Sequence, residues 1–269
     1  MSKILLIDDD NQINEVVKTS LEMLGHAVVT VDQAAHASEA SRSVMPDITL
    51  VDYVMPGCSG LELLEQLRSE KPDRVHFLAT GMADFHLLKQ ALRAGASSML
   101  SKPYRITDLM ELIDLAMLLE QSVQAESEPP VDMPEILSLI CPSGPSIKAE
   151  DLAQLVQFAR IHGTDPLIAG HNLPLIAVSL MKNAGIHGST TDDSTYSVEM
   201  TDIGEKLRLT VVNSGPKFDW RKQLSRAQSI MEKSRASGLQ IVLALADRFE
   251  YEDDGRIAKV CLRKRRTAA

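Results

Sequence analysis

Hydrophobic positions in the first 120 residues fall into short blocks that alternate between two periods. KILLID, AVVTV, DITLVD, RVHFLAT and SMLS are brief, nearly continuous apolar runs, the pattern of strands covered on both faces. Between them lie stretches of helical period. INEVVKTSLEMLG places Ile13, Val16, Val17 and Leu21 on one face, with Gly25 as a stop. An Ala-rich segment, which Asp32 is placed to cap, and then GLELLEQLRS and DFHLLKQALRAG complete the series. Strands alternating with helices of this length predict an α/β fold with a doubly wound, five-stranded parallel sheet, whose ligand sites lie at the carboxyl ends of the strands.

The pattern changes after QAESEPP, a short polar break that ends any helix. EILSLICP predicts a strand, and SIKAEDLAQLVQFARIHG and LPLIAVSLMKNAGIHG predict helices. TYSVEMTDIGEKLRLTVVN predicts a hairpin turning near Asp202-Ile203-Gly204. A helix-rich stretch ends at SGLQIVLALADRF, and a last hairpin turns at Asp254-Gly255. Helices laid on one face of an antiparallel sheet make an α+β two-layer sandwich. The expected organisation is a first domain over 1–121, a linker over 122–131 and a second domain over 132–269. In the helix before the linker, Leu109, Leu112, Ala116, Leu119 and Val123 form one stripe, and Met110, Ile113 and Met117 a second. Either this is one wide core face, or the second stripe meets the output domain or a second copy in a homodimer.

Composition adds limits. At 269 residues the chain suits two domains, and its apolar and charged fractions are those of an ordinary globular protein. No apolar run is long enough for a signal peptide or a membrane span, so no membrane role is expected. Cys58, Cys141 and Cys261 lack metal-ligand spacing and fit reduced thiols in a cytoplasmic setting. Residues 1–121 carry 10 Lys+Arg against 18 Asp+Glu, which argues against nucleic-acid binding there. The run Arg263 to Arg266 is either a nucleic-acid patch or the solvated end of a last strand.

The candidate chemistry gathers at strand ends. Asp8 and Asp9 follow the first strand, Asp52 ends the third, Thr80 the fourth, and Lys102 follows the fifth. A single aspartate after a strand is commonly a helix cap. Three converging carboxylates would repel one another, and a hard cation such as Mg²⁺ would neutralise them. A lysine and a hydroxyl opposite could grip a phosphoryl group.

On ILLIDDD, VDYVMPGCSGLELL, LATG and GASSMLSKPY, taken in order, residues 1 to about 121 resemble the receiver domain of bacterial two-component response regulators. The resemblance implies Asp52 as phosphoacceptor for a histidine kinase. It makes Asp8, Asp9, Asp52 and the Val54 carbonyl the metal ligands, and Thr80 and Lys102 the contacts to the phosphoryl group. Pro103 follows in the turn typical of the family. Met99 stands where the family usually has an aromatic, which implies a switch that is weaker or uses a flexible thioether instead.

Residues 132 to 266 resemble the ATP-binding (GHKL) domain shared by histidine kinases and the anti-sigma-factor serine kinases, the ending GLQIVLALADRFEYEDDGRIAKVCLRKR favouring the latter. Carried over, Asn183, Asn213, Gly215 and Gly238 fall in its nucleotide boxes. Ser179 takes the place of the catalytic Glu, Asn213 that of the adenine-binding Asp, and Lys217 that of a second glycine. A hydroxyl cannot act as general base near neutral pH. The expectation is a pseudo-ATPase with ATP binding doubtful, serving as a partner-switching adaptor for a sigma factor or an anti-sigma-factor antagonist. The alternative is a receiver-controlled serine kinase using ATP through another acid, with Glu199 or Asp202 nearest. Asn183 as a helix cap, His187 on a backbone carbonyl, His162 and His171 without ligand spacing, and Trp220 beside Phe218 as core or partner anchor are the simpler readings of the remaining polar and aromatic residues.

Overall fold

A computed structural model describes residues 1–70, 74–125, 134–187, 194–217, 219–229 and 235–265. The chain divides into two compact units, Met1–Ala116 with Ile230–Ala236, and Met117–Ser229 with Ser237–Ala269.

In the first unit the five apolar blocks become β1 (Lys3–Ile7), β2 (Ala27–Val31), β3 (Ile48–Asp52), β6 (Val75–Thr80) and β7 (Ser98–Ser101). They form a parallel sheet in the order β2-β1-β3-β6-β7. A two-residue ribbon, β4 (Val54–Met55) and β5 (Cys58–Ser59), follows β3. The intervening helices are α1 (Asn11–Met23), α2 (Ala34–Val44), α3 (Gly60–Glu70) and α4 (Phe85–Ala94), with α5 (Ile106–Gln124) closing the series. β3 and β6 are buried along their whole length, which explains why their sequences show no alternation.

Three local expectations are corrected. Val16 is 66% exposed; the inward positions of α1 are Asn14, Val17 and Leu21, because a 3-4 spacing keeps to one face. Asp32 does not cap α2: its N-cap is Gln33, without a side-chain bond. In α5, Leu109, Leu112, Ala116 and Ile113 are buried while Met110 and Val123 are exposed, so the two stripes do not separate cleanly. α5 also runs through Gln124, past the expected start of the linker, and residues 126–131 of that linker lie outside the described residues.

The second unit contains β8 (Ile136–Pro142), α6 (Ala149–Ile161), a π-helical turn (Ile168–Asn172) leading into α7 (Leu173–His187), β9 (Thr195–Asp202) and β10 (Lys206–Asn213). It continues with α8 (Trp220–Ser229), α9 (Gly238–Leu245), β11 (Arg248–Glu252), a 3-10 turn (Asp253–Gly255) and β12 (Ile257–Arg263). The sheet is antiparallel throughout, in the order β11-β12-β10-β9-β8. β9 alternates, with Tyr196, Val198 and Met200 buried, and the nearly all-apolar α7 is buried over most of its length. Gly185 lets α7 touch the loop after β8: a Cβ there would lie 2.3 Å from the Gly144 carbonyl oxygen, and the Gly144 amide donates to the Gly185 carbonyl. At the end of β12, Arg263 pairs with Asp247 and the largely buried Lys264 with Asp202; Arg266 of that basic run lies outside the described residues. Among the described residues no helix is long and apolar enough to cross a membrane.

Candidate functional site: an acidic cluster held by a lysine

The ends of β1, β3, β6 and β7 bring Asp8, Asp9, Asp52, Thr80 and Lys102 to one edge of the parallel sheet. The three aspartates each offer a carboxylate oxygen within 4.8 Å of the others. Asp10, the third residue of the acidic run, caps α1 through the amides of Gln12 and Ile13. That role is satisfied one residue further on, which leaves Asp8 and Asp9 available to the cluster. Asp8 is buried and Asp9 exposed, so the cluster is open to solvent on one side.

Lys102 lies between two of the acids. Its Nζ is 2.5 Å from Asp8 Oδ2 and 2.9 Å from Asp52 Oδ1. The position is set by β7: the Lys102 amide donates to the Thr80 carbonyl, prolonging the β6–β7 ladder past Ser101, and the Lys102–Pro103 peptide is cis. Burial by itself would lower the lysine pKa, but its hydrogen bonds to Asp8 and Asp52 outweigh that and raise it. Burial raises the Asp52 pKa above the ordinary carboxylate value, with Lys102 pulling the other way. Asp52 is thus a partly desolvated carboxylate in direct contact with a cation. The Thr80 hydroxyl is buried and accepts the Met82 amide. Val54 follows two residues after Asp52 on the exposed ribbon, where it is 61% exposed. Met99, in β7, is wholly buried.

Sequence reasoning gave no role to three neighbours of the cluster. Asn14 is buried and its amide donates to the Asp8 carbonyl at 2.7 Å, fixing the turn after β1; the signal was a polar residue in register with Val17 and Leu21. Tyr104 lines the crevice beneath Asp8 and Asp52, and burial together with those two charges raises its hydroxyl pKa. Gly60 opens α3 directly against the Asp52 main chain.

In the second unit, the proposed nucleotide residues have other partners. Ser179 is buried and its hydroxyl donates back to the Leu175 carbonyl at 2.7 Å, a bond within its own helix. Asn183 bonds the buried Tyr251 hydroxyl, whose pKa burial pushes up to about 12. Tyr251 also meets Trp220, at 6.2 Å between ring centroids, and Phe249, at 4.9 Å. Phe218 lies outside the described residues. Asn213 Oδ1 accepts the Gly215 amide, closing a turn on itself, and Lys217 pairs with Asp254 in the open. Gly238 packs against Ser179, where a Cβ would lie 3.1 Å away, so the structure places it about one helical turn from Asn183. The two candidate acids lie elsewhere on the sheet. Asp202 pairs with Leu207 and Asn213 with Tyr196, so Asp202 is about six residues, or roughly 20 Å, along the strand from Asn213. Glu199 is on the exposed face of β9, opposite Val198 and Met200. His162 bonds the Phe158 carbonyl and stacks on its ring, and His171 meets Asn172.

Comparison with known proteins agrees with the site. Residues 4–114 match the response regulator receiver domain. The C4-dicarboxylate transport transcriptional regulatory protein DctD of Pseudomonas aeruginosa is 34% identical over 116 residues, 43% of this chain and 25% of DctD. The phosphate regulon transcriptional regulatory protein PhoB of the same organism is 30% identical over 138 residues, 50% of this chain and 58% of PhoB. A solved receiver domain protein (CheY-like) from Methanospirillum hungatei is 30% identical, covers 42% of this chain and 91% of its own, and has a TM-score of 0.41. The chain spans about a quarter of the length of the first of these curated relatives. The N-terminal part of this protein is thus a receiver domain, homologous to those of two-component response regulators.

Proposed function

We propose that this chain is a response regulator in which a histidine kinase phosphorylates Asp52, and in which the second unit is a protein-binding output. The observation that carries the reading is Lys102 Nζ bridging Asp8 and Asp52 beside the buried Thr80. Asp8, Asp9, Asp52 and the Val54 carbonyl would hold Mg²⁺, which would supply charge neutralisation for the incoming phosphoryl group. The donor set is all oxygen and mostly carboxylate, which suits that hard cation. An Asp52 carboxylate oxygen forms the bond to phosphorus as the donor's phosphorus–nitrogen bond breaks. Lys102 then leaves Asp8 and pairs with the added oxygens, and the Thr80 hydroxyl turns to donate to one of them.

For residues 132–269 the order of elements and the helices on one sheet face support an ATPase-like scaffold. The bonding of Ser179, Asn183 and Asn213 supports loss of phosphotransfer chemistry, making it a pseudo-ATPase. A surviving scaffold without its chemistry suits partner switching, with a sigma factor or an anti-sigma-factor antagonist as the partner implied by the resemblance. The test is labelling of the full chain with a small phosphodonor and Mg²⁺. The expected result is stoichiometric acid-stable label in the native protein and none in Asp52→Asn; full labelling of that variant would overturn the reading.

A further inference from the structure

The β7 edge of the receiver sheet carries a pairing that no receiver strand supplies. Arg235 forms an antiparallel bridge with Leu100, and the Ala236 amide donates to the Met99 carbonyl at 2.9 Å. The Arg235 guanidinium forms an ion pair with Glu111 on α5, 124 residues away in sequence. Ala236, Met99 and Leu100 are all at 0% exposure. Both sides of this contact belong to the first unit. An edge strand otherwise presents unpaired amides and carbonyls to whatever approaches, so Arg235–Ala236 also closes that edge.

Among the described residues the attachment is one bridge and one ion pair, in which Glu111 is half exposed and open to screening by salt. It is also close to the acidic cluster. β7 has four residues, and the residue after it is Lys102, three positions beyond the Met99 carbonyl that accepts the Ala236 amide. Lys102 and the Met99 carbonyl belong to one short strand end that the Lys102 amide ties to the Thr80 carbonyl, so re-pairing of Lys102 and Thr80 around a phosphoryl group acts on the same strand. The bridge is satisfied in the unphosphorylated arrangement, and among the described residues it is the one rung on that edge.

We propose that Arg235–Ala236 is an intramolecular clasp on the β7 edge that loosens when Asp52 is phosphorylated. This rests on Asp52 being the acceptor. The residue after Ala236 is Ser237, the N-cap of α9, so a loosened clasp frees the main chain that leads into that helix. The receiver state is thereby passed along the covalent chain to the output unit.

Hydrogen exchange read by mass spectrometry on the full chain, with and without Mg²⁺ and beryllofluoride as the phosphoryl mimic, tests this. Exchange in peptides spanning 235–237 is expected to speed by at least about fivefold with the mimic, the lower end of ordinary allosteric coupling. Arg235→Glu should speed exchange there without the mimic, and adding Glu111→Arg should restore protection. Absence of any response in peptides containing Asp52, Thr80 and Lys102 would overturn the acceptor reading and the switch with it. A response there, with unchanged or slower exchange at 235–237, would overturn the clasp alone. So would Arg235→Glu with native protection at 235–237.

Discussion

Replacing Gly60 by alanine puts a methyl group into space occupied by the main chain of the phosphoacceptor. A Cβ built on Gly60 lies 2.2 Å from the Asp52 carbonyl oxygen and 2.8 Å from Tyr53 Cα, both backbone atoms. The first residue of α3 is also tied there, its amide donating to the Tyr53 carbonyl at 2.9 Å. Reaching ordinary contact requires the helix and the β3 end to part by about 1 Å in a close-packed interior. Overpacking of this kind costs roughly 1–3 kcal/mol, and alanine's helix preference offsets about 1 kcal/mol at most, less at a first helical position. The expected net loss is about 1–2 kcal/mol, or a fall in Tm of roughly 4–8 °C per kcal/mol for a domain of this size. Function should suffer more than stability, since a reacting group misplaced by about 1 Å can lose on the order of 100-fold in rate. The assay is the initial rate of labelling by a small phosphodonor with Mg²⁺, beside a thermal melt. Gly25→Ala is the control: its φ is +87° with no atom within 4 Å, so it carries backbone strain of about 1–2 kcal/mol away from the cluster. Gly60→Ala labelling at the native rate would refute the argument, and so would Gly25→Ala slowing labelling equally, because rate would then follow stability rather than geometry.

Lys102→Met leaves Asp8 and Asp52 buried without their cation and should destabilise the receiver by about 3–5 kcal/mol at neutral pH. Asp52 already titrates above its ordinary value, and losing Lys102 raises it further. The ionised form is then the costly one, so the defect should shrink as pH falls through that raised pKa; chemical denaturation at pH 7 and pH 5 showing the same deficit would contradict this. Ser237→Ala removes a complete capping box with Gln240 and should cost about 1 kcal/mol in the melt of the second unit, against no change if α9 does not depend on its cap. Burial, with the Asp151 carboxylate beside it, pushes the Cys141 thiol up to about 11, so at pH 8 on the order of 0.1% is thiolate. Iodoacetamide should therefore modify half-exposed Cys261 well before Cys141, and equal rates by peptide mapping would refute that placement.

Much of the receiver was legible because its determinants are local and directional. Five blocks of continuous apolar residues give five strands, largely buried except for β2 at the sheet edge, where only Val28 is buried, and a doubly wound sheet places its strand ends on one edge whatever the loops do. Asp8, Asp9, Asp52, Thr80 and Lys102 could be gathered from that rule and their motifs alone. Val16 shows where polarity misleads: it is apolar and adjacent to Val17, yet the 3-4 spacing turns Asn14 inward, where its amide bonds the Asp8 carbonyl. The hairpins of the second unit were equally readable, since Gly204 and Gly255 adopt the left-handed conformations that their turns require.

By itself the sequence determined the periodicities, the turn chemistry and the identity of the residues at the sheet edge, because each depends on neighbours a few positions apart. Only the tertiary structure decided how those residues are shared out. It set Lys102 between two carboxylates, gave Asp10 to the helix and Asp8 to the cluster, and occupied Ser179, Asn183 and Asn213 with partners of their own. It alone brought Arg235 to Leu100, a pairing with no local signal, since one antiparallel rung needs only a main-chain amide and carbonyl that every residue but proline carries.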